Sequence, residues 1–427
     1  MPRRIFYIHG VLMGSLSLLA YYCKIALLDP GDLRTDGYLM IRNGRVAGWR
    51  ERKPRNVKIV DLPGNIIIPG LVNAHAHLRY SHLAGKIARG RSFTKWIANI
   101  LAAAPPTAAG VLSGACEMFN SGTTCAGDFD SDGMGARAMQ QIGMRGVAFR
   151  EFVAFDPDAA KAAAREVLQF SKTYKRTKAN KIAVIERGAA PHAPYTVVPG
   201  AVRALSRARV AMHYLETEEE REWIERGTGP IERLLWARGR RPKFPIPNCS
   251  PIEYLQSVGL LKNGTLLIHA NALTKREILQ IAAAGCVAVH CPGTHAFFRR
   301  GAPPVYDWLR AGLPFALGTD SLASNDTLDL FCEMSRLADS DPRIAAKAIL
   351  ESATLGGGRA LRLRNVGALR HGFFADFVIL DNVLNISRPR RLLHHDLLDC
   401  VMNRPNVVDV RTASYTTGNT VNNSGRT

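Results

Sequence analysis

The stretch Ile66–Tyr80 reads "IIIPGLVNAHAHLRY", an apolar run that ends in two histidines one residue apart. In an extended strand, side chains at i and i+2 point to the same side. His75 and His77 would then converge on one point beyond a buried strand, where a metal ion can be held. Two solvated histidines in a turn would give the same text, so further ligands have to come from elsewhere in the chain.

Working outward, runs of the same kind recur: "TTCAGDF", "GVAFREF", "KIAVIERGAAPHAP", "RVAMHYLE", "TLLIHAN", "CVAVHCP" and "PFALGTDS". Amphipathic segments rich in Ala, Leu and Arg separate them, and such alternation argues for βα units and a parallel sheet. With the first run the count is eight, which predicts an α/β fold of the (β/α)8 TIM-barrel type. Shorter strand-like text stands at both chain ends, "KIALLDP", "GYLMIRNGRVAGWR" and "VKIVDLPG" early and "VGALRHGFFADFVILDNV" late, with Asn43-Gly44 as a hairpin signal. These pieces read as one small β-sandwich domain made of residues 22–68 and 367–415 around a barrel of 69–366. Residues 1–21 then form an N-terminal extension and 416–427 a polar tail.

A chain of 427 residues, 47% hydrophobic and 22% charged, can bury one large core and a smaller one. The net charge of +20 comes from scattered arginines, with no long basic block interleaved with aromatics. That pattern describes a basic surface and no specific nucleic-acid partner. The eight cysteines form no C-x-x-C pair and several lie in apolar runs, so they read as buried thiols of a cytoplasmic, reducing compartment. Met1–Ala20 has a basic start and an apolar continuation, which makes export the alternative, although His9 and the bulky "LLAYYC" count against it. No later stretch is long and apolar enough to span a membrane.

In barrels of this kind the active site lies at the C-terminal ends of the strands. Those ends carry His75 and His77, Asp128, Arg150, His192, His213 with Glu216, His269, His290 and Asp320. Singly, each could be a satisfied histidine or a capping aspartate; a polar residue ending every run is hard to explain as packing. A catalytic zinc takes three or four N/O ligands and an open position, and His75, His77, His213 and Asp320 supply that set. One divalent ion per chain is therefore expected, zinc first, with iron or manganese as alternatives. Asp320 can also accept a proton from water, and Glu216, three residues past His213, can carry one to a leaving nitrogen. His290 and His295 flank the mouth in a second rank, His82 reads equally as a loop residue or a substrate contact, and His9, His371, His394 and His395 fall outside the barrel.

"PGLVNAHAHL", "APHAPYTV", "HYLETEEE", "LLIHAN", "VHCPGTHAFF" and "LGTDSLASNDTLDLFCEM" together resemble the successive motifs of the amidohydrolase superfamily. The branch is the one that holds cytosine-deaminase-like, triazine-hydrolase-like and adenosine-derivative deaminases, and "HAHLRYSHLAG" with "SFTKWI" is most similar to its aminofutalosine-deaminase-like members. The resemblance runs from about Lys24 to Asp381. It implies a metal held by His75, His77, His213 and Asp320, an acid/base carboxylate at Glu216, a polarising histidine at His269, and substrate contacts at Arg150 and His192. Nucleoside-deaminating relatives carry a ribose-holding glutamate after strand one, whereas "IANILAAAPP" at Ile97–Pro106 has no acid. The expected activity is metal-dependent hydrolysis of a non-peptide C–N bond, with zinc-activated hydroxide deaminating an amino-substituted heteroaromatic small molecule of nucleobase or nucleoside type. Dechlorination or cyclic amide hydrolysis on the same scaffold is the alternative, ahead of a non-catalytic basic binding protein. Self-association into a homo-oligomer is left open.

Overall fold

A computed structural model of the chain describes residues 18–157, 162, 164–167, 169, 185–240, 243, 246–301, 303–381 and 407–411. Four strands open it: β1 (Leu18–Asp29), β2 (Asp32–Arg42), β3 (Arg45–Arg50) and β4 (Lys58–Pro69). Eight more follow, β5 (Leu71–Ala76), β6 (Thr123–Asp130), β7 (Arg145–Phe152), β8 (Ile185–Pro191), β9 (Ala211–Tyr214), β10 (Leu266–His269), β11 (Val287–His290) and β12 (Phe315–Leu317). The last two are β13 (Phe377–Asp381) and β14 (Val407–Arg411).

The chain ends pair as one six-stranded sheet in the order β14-β13-β4-β1-β2-β3. Asn43 and Gly44 both take positive φ, 53° and 70°, so the Asn-Gly pair makes the turn whose twist suits a two-residue hairpin between β2 and β3. Two expectations change here. The described residues of the chain ends make one sheet, where a two-layer sandwich was expected. The strand also begins earlier than residue 22, because Leu18 to Tyr21 pair with Leu39–Arg42 and Leu19 onward with β4. Part of the apolar segment that imitates an export signal is thus a strand, with Ala20 and Tyr21 buried. Residues 1–17, the tail 416–427, and His9, His394 and His395 lie outside the described residues.

The eight central strands run parallel in two four-stranded sheets, β5-β6-β7-β8 and β9-β10-β11-β12. Isolated parallel bridges join them on both sides, Ala76 to Asp320 and Ala189 to Val210. Helices intervene between strands, and their starts are written locally: Ser250 with Glu253 and Thr274 with Glu277 form capping boxes that satisfy first-turn amides. Alternate strand residues divide between two cores. Phe129, Val147, Phe149, Ala190, Leu266, Ile268, Val289 and Ala316 face inward, while Ala189, Met212, Leu267, Ala288 and Phe315 pack outward with Trp308, Ile278 and Ile281 of the helices. No helix among the described residues is long and apolar enough to cross a membrane.

Arg145 opens β7 and is 2% exposed; its guanidinium pairs twice with Asp376, at 2.7 and 3.3 Å, beneath the ring of Phe374. Asp376 precedes β13, so this ion pair ties the parallel strands to the chain-end sheet. Asp376→Ala takes the carboxylate from a buried guanidinium and is expected to cost about 3–5 kcal/mol in urea unfolding. A loss below about 1 kcal/mol, typical of exposed pairs, would show that water reaches Arg145 after all.

Candidate metal and active site

The strand ends gather the histidines around one point. His75 is fully buried, and His77, His213, His269 and Asp320 are less than a tenth exposed. His77 Nε2 lies 3.2 Å from His213 Nε2, and Asp320 Oδ1 lies 3.6 Å from His75 Nε2 and 3.8 Å from His77 Nε2. The two histidines of the H-x-H pair do share a side, their ring centroids 4.8 Å apart. Local backbone delivers this. The β5–β6 register slips between Asn73 and Ala76, and Asn73 ties β5 to the Asp320 loop by bonding Thr319 Oγ1 at 2.7 Å. Gly318 is required there, because a Cβ would stand 2.8 Å from His75 Cβ. Asp320 and His269 hold left-handed backbone, φ 56° and 70°, which is strained for side-chain-bearing residues and concentrates at functional sites.

The donor set suits a divalent cation. Burial and the neighbouring imidazoles push His77 and His213 well below the ordinary histidine pKa, so both rings are neutral. His213 Nδ1 donates to the His192 carbonyl at 3.0 Å, which leaves Nε2 as a bare lone pair. Burial opposes charge on Asp320, but the adjoining histidines, His75 foremost with His269 and His77, together outweigh it and hold the carboxyl well below the usual range. Asp320 Oδ2 is occupied by Thr294 Oγ1 at 2.9 Å and Ser324 Oγ at 3.1 Å, so Oδ1 is the oxygen turned to the imidazoles. Neither ring nitrogen of His75 has a hydrogen-bond partner. Converging lone pairs of this kind repel one another unless a cation sits among them. His75, His77 and His213 offer atoms within 4.8 Å of one another, as do His75, His269 and Asp320. Three imidazoles and a carboxylate are borderline ligands that suit zinc.

Glu216 stands on the rim of the same cluster, its Oε2 3.6 Å from His269 Nε2 and its Oε1 accepting from Arg300 Nη2 at 2.8 Å. Burial lifts its carboxyl to about 7, against the pull of Arg300. His192 adjoins His213, ring centroids 4.9 Å apart, with its Nδ1 engaged by Thr196 Oγ1 at 2.9 Å.

Two expected contacts are not brought into the cluster. Arg150 has the outward parity of Ala148, and its guanidinium pairs with Glu166 at 2.5 Å. The inward residue of that strand end is the next one: Glu151 continues the face of Val147 and Phe149. His290 likewise follows outward-facing Ala288 and packs beside Trp308 and His295, behind the strand. Asp128 accepts from the Leu78 amide at 2.8 Å and so fixes the turn after His77. His82 contacts two carbonyls, Arg79 at 3.0 Å and Ala104 at 2.8 Å, as a loop anchor, and His371 is exposed.

The profile of the Amidohydrolase family matches residues 66–410. The chain is 30% identical over 387 residues to a 5-methylthioadenosine/S-adenosylhomocysteine deaminase of Nitratidesulfovibrio vulgaris, spanning 83% of this chain and 82% of that one. Among solved structures, Helicobacter pylori aminofutalosine deaminase in complex with methylthio-coformycin superposes with a TM-score of 0.81 at 19% identity, over 93% of this chain and 99% of that chain. Atrazine chlorohydrolase of Arthrobacter aurescens complexed with zinc gives a TM-score of 0.73 at 18% identity, over 90% and 91%. At these identities the structural likeness concerns the fold alone.

Proposed function

Because this chain belongs to the amidohydrolase family, we propose that it hydrolytically deaminates an amino-substituted heteroaromatic ring of nucleobase or nucleoside type. The observation that carries the reading is Glu216, a buried carboxyl near 7 beside His269. An amine must be protonated to leave, whereas chloride need not be, and similarity to a deaminase over most of the chain points the same way. With this reading the two bridged sheets would close as one (β/α)8 barrel, and the described residues among 18–68, 367–381 and 407–411 would make a small domain from both chain ends. A reducing, cytoplasmic setting suits the described cysteines, which are unpaired.

His75, His77, His213 and Asp320 would hold the divalent ion, zinc by their chemistry. When bound, that ion supplies Lewis acidity and makes water nucleophilic near neutral pH. Asp320 takes a proton from the attacking water, being kept ionised by His75 and steadied at Oδ2 by Thr294 and Ser324. Glu216 delivers a proton to the ring nitrogen next to the attacked carbon, with Arg300 fixing its other oxygen. His269, between Glu216 and Asp320, orients the attacking oxygen. Asp320 passes the proton taken from water to the exocyclic amine, the C–N bond breaks and ammonia departs, while the hydroxyl left on the carbon becomes a carbonyl and returns a proton to Glu216. The segment Ile97–Pro106 offers no carboxylate to sugar hydroxyls, so free bases belong in the test beside nucleosides.

The test is ammonia release from a panel of aminopurines, aminopyrimidines, adenosine and 5′-substituted thioadenosines by zinc-loaded protein. At least one class is expected to react with kcat/KM of about 10⁴ M⁻¹s⁻¹ or more. Release of chloride from chlorinated rings, or opening of cyclic amides, with no ammonia from any amine would overturn it.

A further inference from the structure

In the cluster two neighbouring buried polar groups stand without a use. His77 Nδ1 and Glu151 Oε1 both lack hydrogen-bond partners, and Glu151 is 8% exposed. Glu151 Oε2 is 3.8 Å from His77 Nδ1, too long for a hydrogen bond, while its Oε1 is 3.9 Å from His213 Nδ1. His213 Nδ1 is already committed to the His192 carbonyl. His77 Nδ1 has no such acceptor, so Glu151 is the acceptor at hand. The two nitrogens of an imidazole point away from each other across the ring. A carboxylate on the Nδ1 side of His77 is therefore outside the point where the Nε2 atoms meet. Buried groups of this kind cost free energy while unpaired, and the gap closes with a small rotation of either side chain.

We propose that Glu151 is the positioning carboxylate of His77: it accepts the Nδ1 proton and so presents Nε2 as a lone pair to the divalent ion. The inference rests on the metal-site reading given above. A carboxylate behind a ligand histidine fixes its tautomer and ring angle and makes the lone pair a stronger donor; losing such a partner typically weakens metal binding about 10–100-fold. Glu151 thus acts through His77 and touches neither ion nor substrate.

Zinc affinity is measured on metal-free protein by competition with a chromophoric chelator, for wild type, Glu151→Gln and Glu151→Leu. Glu151→Leu is expected to bind zinc about 10–100-fold more weakly. Glu151→Gln should lose less, because its amide oxygen can still accept the proton. The melting temperature of metal-free Glu151→Leu should match or exceed wild type, since Leu replaces a buried carboxyl that stands 3.8 Å from His77 Nδ1, beyond hydrogen-bond reach. That result separates positioning from a structural role, which would lower it. Zinc binding by Glu151→Leu within twofold of wild type would overturn the proposal. So would a cobalt-loaded visible spectrum showing a lost oxygen ligand, which would make Glu151 a direct ligand. Wild-type protein that takes up no zinc would instead overturn the metal site itself.

Discussion

His213→Ala is expected to yield a folded protein that binds zinc roughly 10²-fold more weakly, gives it up to a chelator that wild type resists, and has no hydrolytic activity. The imidazole projects from β9 to within 3.2 Å of His77, and burial keeps it neutral, so its loss removes a ready-made ligand. If a zinc site is worth on the order of 12 kcal/mol and four ligands share it, one ligand contributes about 3 kcal/mol. That corresponds to roughly 10²-fold in affinity, with catalysis falling further as the remaining geometry opens. His75→Ala should behave alike. The fold should survive, because although both rings pack against Phe129, at 4.3 Å for His75 and 5.2 Å for His213, the rest of the inner core, Phe149, Leu266 and Ile268 among it, stays in place. Metal analysis and a thermal melt read both parts. Full zinc occupancy in both variants after the same chelator treatment would remove these residues from the ligand set.

Glu216→Gln is expected to do the opposite to the metal and nearly as much harm to the rate. The amide keeps the shape and can still accept from Arg300, but it cannot carry a proton. Zinc content should be unchanged, while kcat falls on the order of 10²-fold or more. Loss of zinc would mean that the carboxylate is itself a ligand. Retention of both zinc and full rate would mean that the leaving group needs no acid, and a halide would become the better candidate.

The convergence of the candidate ligands was legible because it obeys short-range rules. His75 and His77 follow strand periodicity, and His213 and Asp320 end apolar runs that become β9 and β12. What failed was direction at strand ends. Arg150 and Glu151 are adjacent, and only the inward parity of Val147 and Phe149 says which of them faces the site. The same parity, read from Val289, would have turned His290 outward. Arg300 was not legible at all, since it reaches Glu216 from beyond the helix Pro292–Phe297, which no strand pattern locates. The early start of β1 was hidden because an apolar strand and an export-type apolar segment have the same composition.

The two seams between the parallel sheets have a bearing on handling as well as on chemistry. His75 and His77 hang from the sheet of β5, while His213 and Asp320 belong to the sheet that runs from β9 to β12. An ion gripped by all four would rivet the halves together beside the bridges at Ala76 and Val210. Chelators used in purification would then do more than silence the enzyme. They would withdraw a cross-link, so that the stripped chain, still folded, melts at a lower temperature and loosens first at those two seams.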